Sequence, residues 1–349
     1  MHEECLGDGY FNVNSRSGYK TVLKAKVVKN IGKVLISAVI FFLLIRYIDV
    51  EEAKKIVSRA SPLYLSLVLL VFLLDRAFMS WKWTILLKGM GEEVTQFFAF
   101  KVYYLSSFLG MIIPFGVGPD IIRFFKVKKA GVKSDAAITS IIMERVLGLF
   151  ATLGIVVIGL IIFLMIVNTR KEKDELLVLL IPFFVAIVLG GGFLLNDKIW
   201  HNTMGLSVVE NLFLRLGGRQ YYESFLSFRE EKQIIIWFTL LSFIEQFFAI
   251  FAVYLGAKAL SIPIGFVNCV AFVPLTILAE RLPLTFMGIG LREGSYIFLL
   301  GFLDIDYTSA MLFSMLIFIL EIFFLLPAGV WVLFDDRNPI KVSPEDEME

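Results

Sequence analysis

Histidine and cysteine are almost absent from this 349-residue sequence, which excludes several kinds of site at the outset. The only histidines are His2 and His201, so a histidine-based hydrolase or metal centre lacks its usual ligands. The two cysteines, Cys5 and Cys269, predict neither a disulfide framework nor a metal site. No GxxxxGK[ST] phosphate-binding loop is present, which argues against ATP-driven pumping by this chain. We therefore expect no cofactor and no metal.

Charged residues are also scarce, at 19% of the chain, against about 25% in soluble domains. Hydrophobic residues make up 58% of the chain and aromatic residues 15%, and the mean hydropathy is +0.80. A soluble core cannot bury that much apolar surface, so lipid must cover part of it. The composition predicts an all-α integral membrane protein, a polytopic helical bundle, and gives no reason to expect a nucleic-acid partner.

Nine apolar runs predict helices in the membrane, where a crossing needs roughly 20 residues. The runs lie at 33–48, 62–87, 97–113, 136–167, 176–195, 234–260, 262–280, 282–303 and 308–334. A polar tail, 1–24, precedes this transmembrane domain, 25–334, and an acidic tail, 335–349, follows it. Residues 196–233 mix basic, acidic and apolar side chains, which predicts an amphipathic cytoplasmic linker near the membrane surface.

Two basic clusters set the expected orientation, because Lys and Arg concentrate on the cytoplasmic side. One cluster (16–33) precedes the first run, and the other lies at 123–133. Three full crossings would place the second cluster outside the cell, whereas a re-entrant hairpin over 97–125 keeps it inside. The turn of that hairpin would be PFGVGP at 114–119, because two prolines and two glycines break a helix. Broken backbone of this kind is tolerated in a membrane only inside protein or beside a cavity.

A second segment rich in proline and glycine, PLTFMGIG at 283–290, suggests another re-entrant hairpin over 262–303 that opens to the outside. Each half then consists of two spans, a hairpin and a span. The halves, about 25–167 and 176–334, start on opposite sides, which is the inverted-topology repeat of many secondary transporters. Both termini are then cytoplasmic, and the plasma membrane is the expected location. The turn residues are Pro114, Gly116, Gly118, Pro283, Gly288 and Gly290.

Spacings within the two halves agree with such a repeat. In each half an arginine follows the first proline of the turn by nine residues, and the next span carries an acid. The residues are Pro114, Arg123 and Glu144 in the first half and Pro283, Arg292 and Glu321 in the second.

Four stretches around the turns resemble one membrane-protein family. They are IPFGVGPDIIR at 113–123, MERVLG at 143–148, RLP at 281–283 and GIGLREG at 288–294. Together with the order of the spans over roughly 25–334, they resemble the lysylphosphatidylglycerol synthase transmembrane family, also called flippase-like membrane domains. Pro119 stands where the family pattern leads us to expect a glycine, so the first hairpin should differ in detail.

The resemblance implies lipid translocation. Proteins in which this domain is fused to a soluble aminoacyl-transferase make lysyl- or alanyl-phosphatidylglycerol, and the membrane part is thought to flip the product. About 15 residues follow the last span here, so we expect no transferase module and no enzymatic activity. The expected cargo is an anionic phospholipid or a polyprenyl-phosphate-linked lipid, and the expected partner is its headgroup.

Charged side chains deep in a membrane cost about 2.5–3.5 kcal/mol on insertion scales unless they are paired or hydrated. Glu144 lies ten residues into a helix that we expect to begin at Ser134, which places this acid near the middle of the membrane. Two readings stay open: a hydrated functional cavity, or a buried ion pair that holds helices together. Arg145 points about 100° away from Glu144 around the helix, so each should have a different partner.

Arg123 and Arg292 follow the two turns, where a guanidinium could bind a phosphate in bidentate fashion. Arg123 could instead belong only to the cytoplasmic basic cluster, and Glu293 could simply neutralise Arg292. The candidate headgroup ligands are Arg123, Glu144, Arg145, Arg292, Glu293 and Glu321. Weaker candidates are Asp75, Arg76 and Glu245.

Two other functions stay open. Asp304-Ile305-Asp306 is an acid-x-acid motif in a loop and could hold a divalent metal, as in a membrane glycosyltransferase that uses a lipid-phosphate donor. The chain could also be a non-catalytic membrane partner of another protein.

Overall fold

The fold is entirely helical where the structure describes it. The computed structural model describes residues 46–111, 118–166, 170–196, 231–280 and 287–335, with a few isolated positions outside these ranges. Ten helices lie in this part of the chain: α1 (Val50–Ser58), α2 (Pro62–Gly89), α3 (Gln96–Gly110), α4 (Gly118–Lys129), α5 (Ser134–Ile166), α6 (Arg170–Leu195), α7 (Lys232–Ala259), α8 (Phe266–Glu280), α9 (Leu291–Gly301) and α10 (Tyr307–Asp335).

Four of these helices are long and apolar enough to cross a membrane. α2 and α7 have 28 residues each, and α5 and α10 have 33 and 29. At 1.5 Å per residue each exceeds a hydrocarbon layer of about 30 Å. They confirm the predicted spans 62–87, 136–167, 234–260 and 308–334, so the chain is a multi-pass helical membrane protein.

Other predicted segments are described only in part. α6 includes the predicted span 176–195 but begins earlier, at Arg170, and its apolar part, Leu180–Gly190, is shorter than the four crossing helices. Most of the first predicted span, 33–48, and most of the predicted linker, 196–233, lie outside the described residues. The same holds for the predicted N-terminal tail, 1–24, and for all but the first residue of the predicted C-terminal tail, 335–349.

α3 and α4 form a helical pair in which neither arm is long enough to cross. They have 15 and 12 residues, or about 22 and 18 Å, against about 30 Å of hydrocarbon. The arms meet where α3 ends, because a Cβ atom added at Gly110 would lie 2.4–2.5 Å from atoms of Pro119. α8 and α9, with 15 and 11 residues, form the corresponding pair. These lengths favour re-entrant hairpins, whose depth and side in the membrane stay predictions.

The predicted turn residues are only partly described. Pro114, Gly116 and Pro283 lie outside the described residues. Gly118 is buried and begins α4. Gly288 and Gly290 have φ angles of 73° and 90°, a left-handed backbone that glycine adopts without steric cost. The helix is broken at the second turn, as the sequence predicted, and the left-handed backbone of its glycines is a finding of the structure.

The two halves repeat the same order of helices. α2 to α5 correspond in length and order to α7 to α10, and loops of six residues join α2 to α3 and α7 to α8. The two loops also begin alike: the Glu92 N–H donates to the Leu87 carbonyl, and the Ile262 N–H donates to the Ala257 carbonyl. These similarities support the predicted repeat, and the inverted orientation of its halves in the membrane stays a prediction.

The halves interlock around two central helices. α2 and α7 form the most extensive helix pair of the described chain; α5 packs on α7 and α8, while α10 packs on α2 and α3. One apolar core surrounds Trp83 and Phe238, and another surrounds Phe163 and Phe272. Because each half completes a core of the other, some charged side chains on the central helices and the hairpins are enclosed by protein, namely Lys82, Arg123, Arg292 and Glu293.

Candidate functional site

Arg123 lies at the centre of the first candidate site. Its side chain projects from α4 and is only 4% exposed. One terminal nitrogen donates to Asp120 Oδ1 at 2.7 Å, and the other donates to Glu144 Oε2 at 2.5 Å. Asp120 lies three residues before Arg123 and hence on the same face of α4, whereas Glu144 comes from α5. The guanidinium thus bridges two carboxylates of neighbouring helices.

Two aromatic rings complete the enclosure of this guanidinium. Its central carbon lies 4.4 Å from the ring centroid of Tyr103 and 5.2 Å from that of Trp83. Such contacts attract a cation to the ring face, more strongly when water is excluded. The indole N–H of Trp83 in turn donates to Ser140 Oγ at 3.2 Å, which fixes the ring against α5.

Glu144 has protein donors for both carboxylate oxygens. Oε2 accepts from Arg123, and Oε1 accepts from the Tyr103 hydroxyl. The residue is 7% exposed. The sequence left two readings open for Glu144, a hydrated cavity or a buried ion pair. In this conformation Glu144 forms a buried ion pair with Arg123. It joins α3, α4 and α5, and α5 begins at Ser134 as expected.

Arg145 differs from its neighbour in both exposure and partner. Its side chain is 51% exposed, and its Nε donates to Asp120 Oδ2. The expectation that Glu144 and Arg145 have different partners is therefore met. Asp120 is shared: one oxygen binds the buried Arg123 and the other binds the exposed Arg145.

One donor of the buried guanidinium lacks an acceptor. Arg123 Nε has no hydrogen-bond partner among the described residues, although the atom is buried. A buried N–H without an acceptor costs about 1–3 kcal/mol, and more when the group is charged. The site therefore retains capacity for one more acceptor.

The second candidate site is a local pair. Arg292 donates from Nε and from a terminal nitrogen to Glu293 Oε1, at 3.1 and 2.5 Å. Its guanidinium carbon lies 4.1 Å from the ring centroid of Phe318 on α10. Glu293 also accepts the Gly290 N–H at 2.6 Å, which caps the start of α9. Glu293 neutralises Arg292 as anticipated and has this structural role in addition.

The repeat does not place the matched residues of the two halves at equivalent positions. The N–H of Ala137 donates to the Lys133 carbonyl at the start of α5, and that of Ala310 donates to the Asp306 carbonyl at the start of α10. In this register the counterpart of Glu144 is Ile317, and Glu321 lies one helical turn further on. Glu321 is exposed on the protein surface and is not part of either arginine site.

Arg123 and Arg292 also occupy different positions along their helices. Arg123 lies five residues after the first residue of α4, but Arg292 lies only one residue after the first residue of α9. The turn between α8 and α9 is longer than that between α3 and α4, so equal spacing from a proline does not give equal positions on the helices.

One buried lysine was not predicted from the sequence. Lys82 on α2 is 1% exposed, donates to the Glu245 carboxylate of α7, and donates to Ser242 Oγ at 2.9 Å. A signal was available, since Lys82 lies within an apolar run, seven residues or two helical turns after Asp75. Arg76 makes no described hydrogen bond to Asp75, and its terminal nitrogen donates to Ser107 Oγ at 3.1 Å. Asp120 was part of the recognised motif but was not singled out as a ligand, and the sequence offered no comparable signal for Tyr103.

Comparison with known proteins agrees with this architecture. A family model described as the lysylphosphatidylglycerol synthase TM region matches residues 30–329, which include both hairpins and both arginine sites. No curated protein and no solved structure matches the chain. The protein therefore belongs to the lysylphosphatidylglycerol synthase transmembrane family, whose members are lipid-related membrane domains.

Proposed function

We propose that this protein moves an anionic lipid between the leaflets of the plasma membrane, with both of its termini in the cytoplasm. The observation that carries the proposal is the buried guanidinium of Arg123, whose Nε has no acceptor among the described residues. Phosphate presents several acceptor oxygens in the geometry that a guanidinium fork matches. Both a phospholipid and a polyprenyl-phosphate-linked lipid carry this group.

Asp120 provides the route by which a phosphate reaches the buried arginine. It binds Arg123 and Arg145 at the same time, and Arg145 is half exposed. A lipid phosphate binds Arg145 first and displaces Asp120 Oδ2 from it. It then takes the place of Asp120 on Arg123, where the Nε hydrogen supplies an additional bond.

The exchange of one anion for another keeps the barrier low. Removing a partner from a buried ion pair costs about 3–5 kcal/mol, because the remaining charge is stranded. In the proposed exchange Arg123 always has an anionic partner, either a carboxylate or the phosphate. In the second half, the Arg292–Glu293 ion pair is the proposed second binding site for the phosphate. The Phe318 ring lies against its guanidinium.

The acid-x-acid motif has local roles that favour translocation over sugar transfer. Asp306 caps α10, since its carboxylate accepts the Ser309 N–H at 2.8 Å. Asp304 lies in the preceding turn with a φ of 55°. Both acids thus have a place in the turn between α9 and α10, and the proposed function includes no catalytic step and no cofactor.

A reconstitution assay tests the proposal. The purified chain is placed in phosphatidylcholine vesicles with a small fraction of fluorescent phosphatidylglycerol, and a membrane-impermeant reductant reports which leaflet holds the label. Arg123→Lys keeps the charge but loses the fork, so the initial rate should fall by about tenfold or more, as expected for loss of one charge-assisted hydrogen bond. Arg59→Lys, at an exposed position, is the matched control.

The outcomes are distinct. A wild-type rate no higher than that of protein-free vesicles would refute translocation of this lipid. An unchanged rate in Arg123→Lys, with normal folding, would remove Arg123 from the headgroup site. If Arg123→Lys fails to fold, Arg145→Lys at the exposed position addresses the same route.

A further inference from the structure

The central helix pair carries acids that the headgroup site does not use. Asp75 on α2 and Glu245 on α7 each lie 13 residues after the first residue of a 28-residue helix. Both helices are long enough to cross a membrane, so both acids lie near its middle. In the repeat these positions correspond, and α2 and α7 form the most extensive contact between described helices.

Glu245 has a strong partner across this contact. The Lys82 ammonium group, which is 1% exposed, donates to the Glu245 carboxylate and lies 4.5 Å from the ring centroid of Phe238. Ser242 accepts a further hydrogen bond from the same ammonium group. Lys82 and Glu245 therefore neutralise one another, as buried charges must.

Asp75 has no such partner. No described residue donates a hydrogen bond to its carboxylate, and the side chain is partly buried. The charged groups around it are Arg76, Lys82, Glu245 and, from α10, Glu321.

The other helices packed on α2 add no unpaired charge near Asp75 among the described residues. α5 contributes Glu144, which is bound to Arg123, and α3 contributes the Tyr104 hydroxyl, which donates to the Phe324 carbonyl at 2.5 Å. Around Asp75, three acids therefore face two bases: Asp75, Glu245 and Glu321 against Arg76 and Lys82. One excess negative charge in the middle of a membrane is costly unless a cation neutralises it.

We propose that Asp75 binds a proton in this conformation and that its uptake and release couple lipid movement to a proton gradient. The inference rests on the proposed function and adds the coupling ion to it. A proton from water on one side forms an O–H bond with a carboxylate oxygen of Asp75, and that bond breaks when the proton leaves to water on the other side. No other covalent bond changes.

The proton acts through the packing of the central helices. With the proton bound, the charges at the crossing of α2 and α7 balance, and the arrangement described here is stable. Release leaves an uncompensated carboxylate between the halves, which favours a rearrangement that exposes it to water. A hard metal cation would need several oxygen ligands, whereas a proton needs only this carboxylate.

Imposed pH gradients test the coupling in the same vesicles, with the membrane potential clamped. If one proton moves per lipid, each pH unit should shift the steady-state ratio of fluorescent phosphatidylglycerol between leaflets by up to about tenfold. Asp75→Asn should abolish this shift, and Glu52→Gln, an exposed acid on α1, should not. Replacing sodium by a large organic cation should have no effect.

A second measurement does not depend on lipid movement. Infrared spectra of the full chain should contain the band of a protonated carboxyl group at neutral pH. The band should be missing in Asp75→Asn and present in Glu52→Gln. Its persistence in Asp75→Asn would overturn the assignment.

The failures of the two proposals are distinguishable. Lipid movement that ignores the pH gradient, or that requires sodium, would overturn proton coupling and leave translocation standing. Absence of lipid movement in any gradient would overturn the proposed function and the coupling together, while the infrared band would still decide whether Asp75 holds a proton.

Discussion

The two hairpins of this protein each bury an arginine, but they hold it in different ways. Arg123 bridges a carboxylate on its own helix and one on α5, and it shares Asp120 with an exposed arginine. Arg292 has its one described ion pair with the adjacent Glu293, which also caps the same helix. The first arrangement connects helices and reaches the surface, whereas the second is local.

Similar motifs therefore need not have the same structural role. A pair that joins two helices resists their separation, so its loss should affect the fold as well as any transport. A pair between adjacent residues adds little to helix packing, and its loss should affect the ligand more than the fold. Substitutions in the two hairpins can therefore separate structural from functional effects.

The most severe test concerns the sides to which the hairpins open. We expect Lys128, after the first hairpin, to be cytoplasmic and Asp304, after the second, to face outside. Single cysteines at these positions in a background without Cys5 and Cys269 should react oppositely with an impermeant reagent applied from outside. Labelling at 304 and not at 128 is the expected result. Labelling at 128 from outside would remove the first re-entrant hairpin and the inverted repeat with it.

The largest energetic effect is expected for Glu144→Gln. The amide keeps the shape but leaves Asp120 as the one described carboxylate that neutralises Arg123, so the free energy of unfolding should fall by at most about 3–5 kcal/mol. Thermal unfolding in detergent, followed by reaction of the buried Cys269 thiol with a dye, measures it.

A charge-free double variant serves as its control. Arg123→Met with Glu144→Leu should recover part of the stability, because no charge is then stranded. A melting temperature unchanged in Glu144→Gln, together with slowed lipid movement, would contradict the buried-pair reading and restore that of a hydrated cavity.

A smaller effect is expected for Arg292→Lys. Glu293 keeps its bond to the Gly290 N–H, so the loss of stability should be about 1 kcal/mol. Lipid retention should weaken more than stability, since lysine lacks the planar fork. Native mass spectrometry of co-purified lipid measures retention. If Arg292→Ala retains as much lipid as the wild type at normal expression, then Arg292 does not bind the headgroup and its role is only structural.

Some of this site was predictable from the sequence for physical reasons. The place of Glu144 ten residues into α5 followed from a helix start at Ser134, and the structure has that start; the depth of Glu144 in the membrane stays a prediction. The separate partners of Glu144 and Arg145 followed from the angle between adjacent helical positions. The break between α8 and α9 followed from the proline and glycines at 283–290, although the left-handed backbone of Gly288 and Gly290 was not predicted.

The partners themselves could not be predicted. The side chains around Arg123 meet because α3, α4 and α5 pack with particular rotations about their axes. They are Tyr103, Asp120 and Glu144. The spacing of residues along the sequence does not predict these rotations. The pairing of Lys82 with Glu245 joins residues 163 positions apart for the same reason.

The smallest change in stability and the sharpest test of the comparison are expected for Arg145→Gln. Its side chain is half exposed, so its ion pair with Asp120 should contribute less than about 1 kcal/mol to stability. Arg123 keeps both carboxylates, and the fold should be intact. Yet the proposed route begins at Arg145, so the rate of fluorescent phosphatidylglycerol movement should fall several-fold, more so at low salt, where an exposed charge attracts a phosphate over a longer distance.

Lys129→Gln removes one positive charge from the same basic cluster without touching Asp120, and it should leave the rate close to that of the wild type. Equal slowing in both variants would mean that the cluster acts only through its overall charge. A normal rate in Arg145→Gln would mean that lipid reaches Arg123 by another path.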